Sequence, residues 1–164
     1  MKPDSEITNP EPRVLLFSDE DFDVEIYNSV ASCAQLSEIR LLASTFAVKP
    51  ECLGEFDDPE NSHDHKFEGH AHKFVFDSEN GIAIGTIVWC AEIKSGRKKA
   101  LKLTAEYLTT YGDLQGMDAD YVRLYFGKIA KFATFPYFRN LFSVQVSAAG
   151  IQLPPLPSLI DRVD

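Results

Sequence analysis

Hydrophobic and polar positions change period several times along this chain, and each change marks an element. In residues 22–36, Phe22, Ile26, Val30 and Cys33 recur at helical spacing, with Ser18 or Asp19 available as caps. The spacing predicts a short helix. Ser37–Val48 then nearly alternates apolar and polar residues, the period of a strand with one buried face. Lys49–His65 mixes proline, glycine and asparagine breakers with acids and histidines, and reads as a surface loop. Lys66–Phe76 alternates again. Strict alternation places His70, His72, Phe74 and Phe76 on one face and Gly69, Ala71, Lys73 and Val75 on the other. Asp77–Gly81 ends in the hairpin dipeptide Asn80-Gly81, and Ser95-Gly96 makes a second turn. Between them, Ile82–Ile93 is an apolar, β-branched strand. Ala100–Tyr111 is the fourth, with Leu101, Leu103, Ala105 and Tyr107 on one face and Lys102, Thr104 and Glu106 on the other.

A helical period then returns. Over 118–134, Asp118 suits a cap, and Val122, Phe126, Ile129, Ala130 and Ala133 form one stripe. Pro136 suits the first turn of a further helix. Leu141, Phe142, Val144, Gln145 and Ala148 give that helix a broad apolar face, and Gly150 suits the left-handed residue past its end. Leu153-Pro154-Pro155-Leu156-Pro157 cannot continue a helix and should lie extended against something apolar. Helix, four strands and two helices, with tight hairpins, predict an antiparallel meander covered on one face by helices, an α+β architecture. Residues 1–21 are broken by Pro3, Pro10 and Pro12 and read as a flexible extension. Within it the apolar island Val14–Phe17 suits a short strand or a docking peptide. Residues 22–164 form a single domain.

Composition narrows the function classes. With 45% hydrophobic residues and 12 Phe among 164 residues, the chain has material for one core. Its net charge of −9 argues against nucleic acid as a partner. The cluster Lys94-Ser-Gly-Arg97-Lys98-Lys99 falls on a predicted hairpin turn and reads as a solvated loop tip. No apolar run approaches the roughly 18 residues that mark a membrane span. The N-terminus lacks an apolar signal core. Cys33, Cys52 and Cys90 have no disulfide-like spacing, so the expected compartment is a reducing cytoplasm.

Catalytic chemistry has little to stand on. There is no Gly-x-Ser-x-Gly elbow, phosphate loop or dinucleotide turn, and the expectation is no enzyme and no cofactor. Glu92 and Glu106 on adjacent strands can form a carboxylate pair, although solvent-facing acids of a sheet explain them as well. His63, His65, His70 and His72 offer an alternative: a small-ligand-binding or hydrolytic domain with a His70/His72 metal site. Exposed histidines of a loop and a strand are the plainer account. The aromatic excess is more telling. Phe132, Phe135, Tyr137, Phe138 and Phe142 fall within eleven residues, and Phe46, Phe74, Phe76 and Trp89 add to them. Such an excess suggests apolar grooves or subunit contacts. An aromatic groove takes extended chains without sequence readout, because apolar burial is non-directional. An open sheet edge adds backbone hydrogen bonds.

Phe135-Pro136-Tyr137, then Arg139, a short helix, Ala149-Gly150 and the Leu-Pro-Pro-Leu-Pro tail resemble the C-terminal signature of the SecB export-chaperone family. The resemblance implies a four-stranded antiparallel sheet with helices on one side and an ATP-independent chaperone, a dimer or dimer of dimers. Such a chaperone holds unfolded polypeptides and, in export, hands them to the SecA motor. It implies a client groove shaped by Phe135 and Tyr137, lined by Phe138, Leu141 and Phe142 from the helix and by Phe46, Phe74 and Phe76 from the strands. The edge strand Ser37–Val48 is the expected subunit contact, since an unpaired edge is otherwise a liability. Two departures speak against SecA. Ala43 and Ala47 stand where family members carry first-strand acids, leaving Glu106, and the chain ends at Asp164, short of the longer C-terminal helix of export-type members. A dedicated client such as an aggregation-prone antitoxin is the other expectation, with Val14–Phe17 supplying specificity.

Overall fold

The computed structural model describes residues 21–159; Val14–Phe17, Ser18 and Asp19 lie outside the described residues. The first helix, α1 (Val24–Cys33), is capped by Asp23 instead. Its carboxylate accepts from the backbone N–H groups of Glu25 and Ile26 at 2.9 and 3.3 Å, satisfying donors that a first turn leaves open. Strand β1 (Gln35–Val48) follows. A 3-10 turn at Pro50–Cys52 and the one-turn helix α2 (Leu53–Phe56) then interrupt what the sequence predicts as a plain surface loop. Buried Cys52 and Phe56 pin that crossover to the core.

Strands β2 (His63–Asp77), β3 (Ile82–Ser95) and β4 (Lys98–Gly112) form the antiparallel meander that the two turn dipeptides predict. The first strand joins it elsewhere than chain order suggests. β1 pairs with β4, giving the order β1-β4-β3-β2, so the crossover carries the chain from one sheet edge to the other. In that place Phe46 and Val48 stand opposite Leu103 and Leu101 and widen the apolar face. An antiparallel α+β sheet results, as expected.

The β2–β3 ladder shifts between Ala71 and Lys73. Before the shift, Phe67, Gly69 and Ala71 are the less exposed residues of β2; after it, Phe74 and Phe76 are. Strict alternation therefore fails at His72. One extra residue in a bulge sends every later side chain to the other face, so Phe74 and Phe76 do not share a face with His70 and His72.

Helix α3 (Ala119–Ala148) runs for 30 residues with Pro136 inside it, where the sequence predicts two helices. The proline lacks the N–H that would bond the carbonyl of Phe132, a defect worth about 3 kcal/mol. The apolar stripe continues on both sides, with Phe126, Ala130, Phe138, Phe142 and Val146 all buried. At about 1.5–3 kcal/mol for each large side chain, that stripe outweighs the lost bond. Asp118 caps the start as predicted, accepting from the N–H groups of Asp120 and Tyr121 at 3.0 and 3.2 Å. At the other end Gly150 has φ 73°. Its N–H reaches the Ser147 carbonyl at 3.0 Å, and the Ile151 N–H reaches that of Val146 at 3.1 Å. This is the Schellman arrangement that glycine permits.

Candidate functional site

Helix α3 lies mainly over β2 and β3, less over β4. Trp89 is the centre of the contact. Phe138 stacks on its indole with centroids 5.6 Å apart, Phe135 tilts against it at 5.1 Å, and Phe67 stacks on Phe135 at 5.3 Å. Gly69 makes the room, since a Cβ there would sit 2.6 Å from the indole. Phe135, Phe138 and Phe142 are 5%, 0% and 1% exposed. The sequence expects client contacts at these three positions; the structure places all three side chains in the core. Their spacing of three and four residues puts them on the inward stripe of α3, shut inside the chain's own core.

The other candidates separate. Half-buried Phe74 and Phe76 lie toward the start of α3, where Phe74 packs on Phe126 at 5.1 Å beneath the Arg123 guanidinium, 5.0 Å from its ring centre. Tyr137 and Leu141 share a flank of α3 with Val144 at helical spacing, and Tyr137 and Val144 are each 55% exposed. Phe135 meets Phe67 of β2, which turns its side of the helix toward that edge. At about 100° per residue the Tyr137 flank then looks over β4 and β1. On that side β1 presents half-buried Phe46 and, nearer the start of α3, Leu36 and Leu41, 44% and 47% exposed, opposite Tyr111 and Tyr107. Of the eight sequence candidates, Phe46, Tyr137 and Leu141 belong to this bare apolar flank.

On the opposite flank the Leu-Pro-Pro-Leu-Pro tail lies against an apolar surface, as the sequence predicts, although none of its residues is among the sequence candidates for the site. The tail after Gly150 folds back along α3, with Leu156 fully buried and the Arg139 Nε–H donating to its carbonyl at 2.5 Å. Beyond it, Phe67, Gly69, Trp89, Lys131, Phe132 and Leu159 line a cavity of about 220 Å³. The clue in the sequence was the leucine at every third position of the tail.

No model of a known protein family matches the chain, and no curated protein does. Solved structures do. The Mycobacterium tuberculosis Rv1957 SecB-like chaperone, in complex with a ChAD peptide from the Rv1956 HigA1 antitoxin, superposes with a TM-score of 0.65 at 20% identity. The match covers 83% of this chain and 96% of that one. The fold is SecB-like. A protein of unknown function from Streptococcus agalactiae also aligns, at a TM-score of 0.34 and 11% identity, over 76% of this chain and 97% of that one.

The open face of the SecB-like sheet, away from α3, holds the charged candidates. Glu92 lies 3.0 Å from the Lys99 ammonium and 3.8 Å from that of Lys102. The hydrogen bond from Lys99 holds its carboxyl below the usual range. Glu106 instead approaches His72 Nδ1 at 3.5 Å. The two acids thus serve separate partners and form no carboxylate pair. His63 is spent on packing, its ring 5.0 Å from that of Phe56. Among the described residues no group of three or more His, Cys, Asp or Glu can hold a metal ion. None of the described helices is long and apolar enough to cross a membrane.

Proposed function

We propose that the chain is a nucleotide-independent holdase, a cytoplasmic chaperone that captures unfolded polypeptide without turnover and works as a dimer or dimer of dimers. The bare flank of α3 carries this reading. Tyr137 and Val144 on the helix, and Leu36 and Leu41 on β1, leave large apolar side chains in water. Large apolar side chains exposed at several points along one side of the fold are what a binding surface would offer. β1 is also a sheet edge, whose open backbone groups suit either a second copy or an extended client. The client contacts of this reading are Phe46, Tyr137 and Leu141, with Phe74 and Phe76 at the far end of the helix.

The SecB-like relative seen with an antitoxin peptide supports a dedicated client of that kind. Ala43 and Ala47 stand opposite Glu106 and Lys102 in the β1–β4 ladder, which leaves β1 without the acids that the family resemblance associates with SecA. That arrangement favours clients taken independently of the motor. The test is suppression of aggregation of a chemically denatured client, followed by light scattering without nucleotide. The chain is expected to suppress it stoichiometrically, and Tyr137→Asp with Val144→Asp to lose that effect. Undiminished scattering with the parent chain rejects the reading.

A further inference from the structure

The tail along α3 has a burial pattern of its own. Leu153 and Leu159 are half-buried and Leu156 is buried, while Pro154, Pro155, Pro157 and Ser158 between them are exposed. Inward positions at every third residue match the period of a polyproline II helix, and the three prolines fix φ for it. All three inward residues are leucines packed on the core. Among the described residues, the one hydrogen bond to the tail past the helix cap is that from Arg139 to the Leu156 carbonyl. Next to Leu159 a cavity of about 220 Å³ between Phe67, Trp89 and Phe132 extends the trough beside the outer edge of β2.

We propose that this tail is a built-in occupant of a second peptide site, one that takes extended segments with an apolar residue at every third position, and that such a segment displaces it. The inference rests on reading the chain as a binder of unfolded polypeptide. The physical case is exchange of like for like. An incoming Leu-x-x-Leu-x-x-Leu segment buries what the departing leucines expose, so the tail's own occupancy sets the apparent affinity. A site filled from within has an apparent dissociation constant equal to the intrinsic one divided by the fraction left open. Loosening the tail without touching the trough wall then strengthens binding.

The experiment uses the full chain and a labelled peptide, Ile-Gln-Leu-Pro-Pro-Leu-Pro-Ser-Leu, the sequence of residues 151–159. A scrambled peptide that breaks the three-residue spacing is the comparison. Fluorescence anisotropy is expected to show saturable binding to the parent chain. Leu156→Ala and Leu159→Ala, both in the tail and not in the wall, should each bind the ordered peptide about tenfold more tightly. Leu159 is only half-buried, so its variant keeps the test intact if Leu156→Ala fails to fold by circular dichroism. Equal affinity in the parent and the folded variants overturns the proposal, as does absence of binding or indifference to scrambling. The holdase reading fails separately. Tighter peptide binding in the variants, with no client kept in solution, sinks that reading and leaves the tail site standing. Client capture with peptide affinity unmoved by either variant does the reverse.

Discussion

The indole N–H of Trp89 donates to the hydroxyl of Thr134 at 2.8 Å, and that hydroxyl donates in turn to the carbonyl of Ala130 at 2.8 Å. Both side chains are buried. The relay fastens the centre of the sheet to the turn of α3 just before Pro136, where the helix is one backbone bond short. Thr134→Val keeps the shape and strands the indole N–H. A buried donor without a partner costs about 1–3 kcal/mol, and denaturant unfolding should show a loss of that size. Thr134→Ser keeps the hydroxyl and should recover most of it. Trp89 is the sole tryptophan, so its fluorescence reports the site directly.

Two glycines admit the helix to the sheet, and they should not tolerate substitution equally. A Cβ on Gly85 would meet the Lys73 carbonyl oxygen at 2.4 Å and the Phe126 ring at 2.5 Å. A Cβ on Gly69 would meet the Trp89 ring first, at 2.6 Å. Backbone cannot step aside as a side chain can. Gly85→Ala is expected to cost at least about 3 kcal/mol and Gly69→Ala about 1–3 kcal/mol, the usual range for overpacking. Gly54 has nothing within 4 Å, so Gly54→Ala should be neutral or slightly stabilising. Thermal melts of the three variants rank them.

The strands were legible because alternation and hairpin dipeptides are local signals. Asn80-Gly81 and Ser95-Gly96 fall at the two hairpins, and Leu101, Leu103, Ala105 and Tyr107 lie on the core face as their spacing predicts. What failed was nonlocal. The place of β1 beside β4 depends on which edge its apolar residues can extend, and no local pattern records that. The bulge at His72 breaks the period without a glycine or proline to announce it. Pro136 misled because local propensity marks a helix start, while the inward stripe from Phe126 to Val146 overrides it. The same stripe explains the candidate site. Phe135, Phe138 and Phe142 look like surplus aromatics until a 30-residue helix over Trp89 absorbs them, whereas Tyr137 and Leu141 fall one step off the stripe and stay reachable.

The tyrosines beneath α3 predict an alkaline limit. Burial pushes the phenols of Tyr107 and Tyr111 each up to about 12, above about 10 in an unfolded chain. A group whose folded pKa is raised contributes its full stability below pH about 10 and loses it as pH climbs through the folded value. Stability should therefore be flat to about pH 10 and fall from there toward pH 12, with phenolate absorbance rising in step with unfolding. The Tyr111 hydroxyl is buried without a hydrogen-bond partner among the described residues. Tyr111→Phe should accordingly be neutral or stabilising at pH 7 and make the alkaline fall shallower.

Helix α3 also separates folding from capture, because neighbouring residues on it have opposite duties. Phe142 is 1% exposed inside the core. Phe142→Asp buries an unpaired carboxylate in place of an aromatic ring, and such replacements cost more than about 4 kcal/mol. It is expected to abolish the cooperative melt and, with it, any client binding. Tyr137 and Val144 are more than half exposed on the outer flank. Tyr137→Asp and Val144→Asp should shift stability by no more than about 0.5 kcal/mol, as surface changes do. Their effect is expected in client capture instead, with the folded variants letting a denatured client aggregate at ratios where the parent chain prevents it. Circular dichroism melts run beside light scattering distinguish the two cases. A double variant that melts like the parent and holds clients equally well would remove the outer flank from the binding surface, and the site would then have to lie on the β2 side of the helix, under the tail.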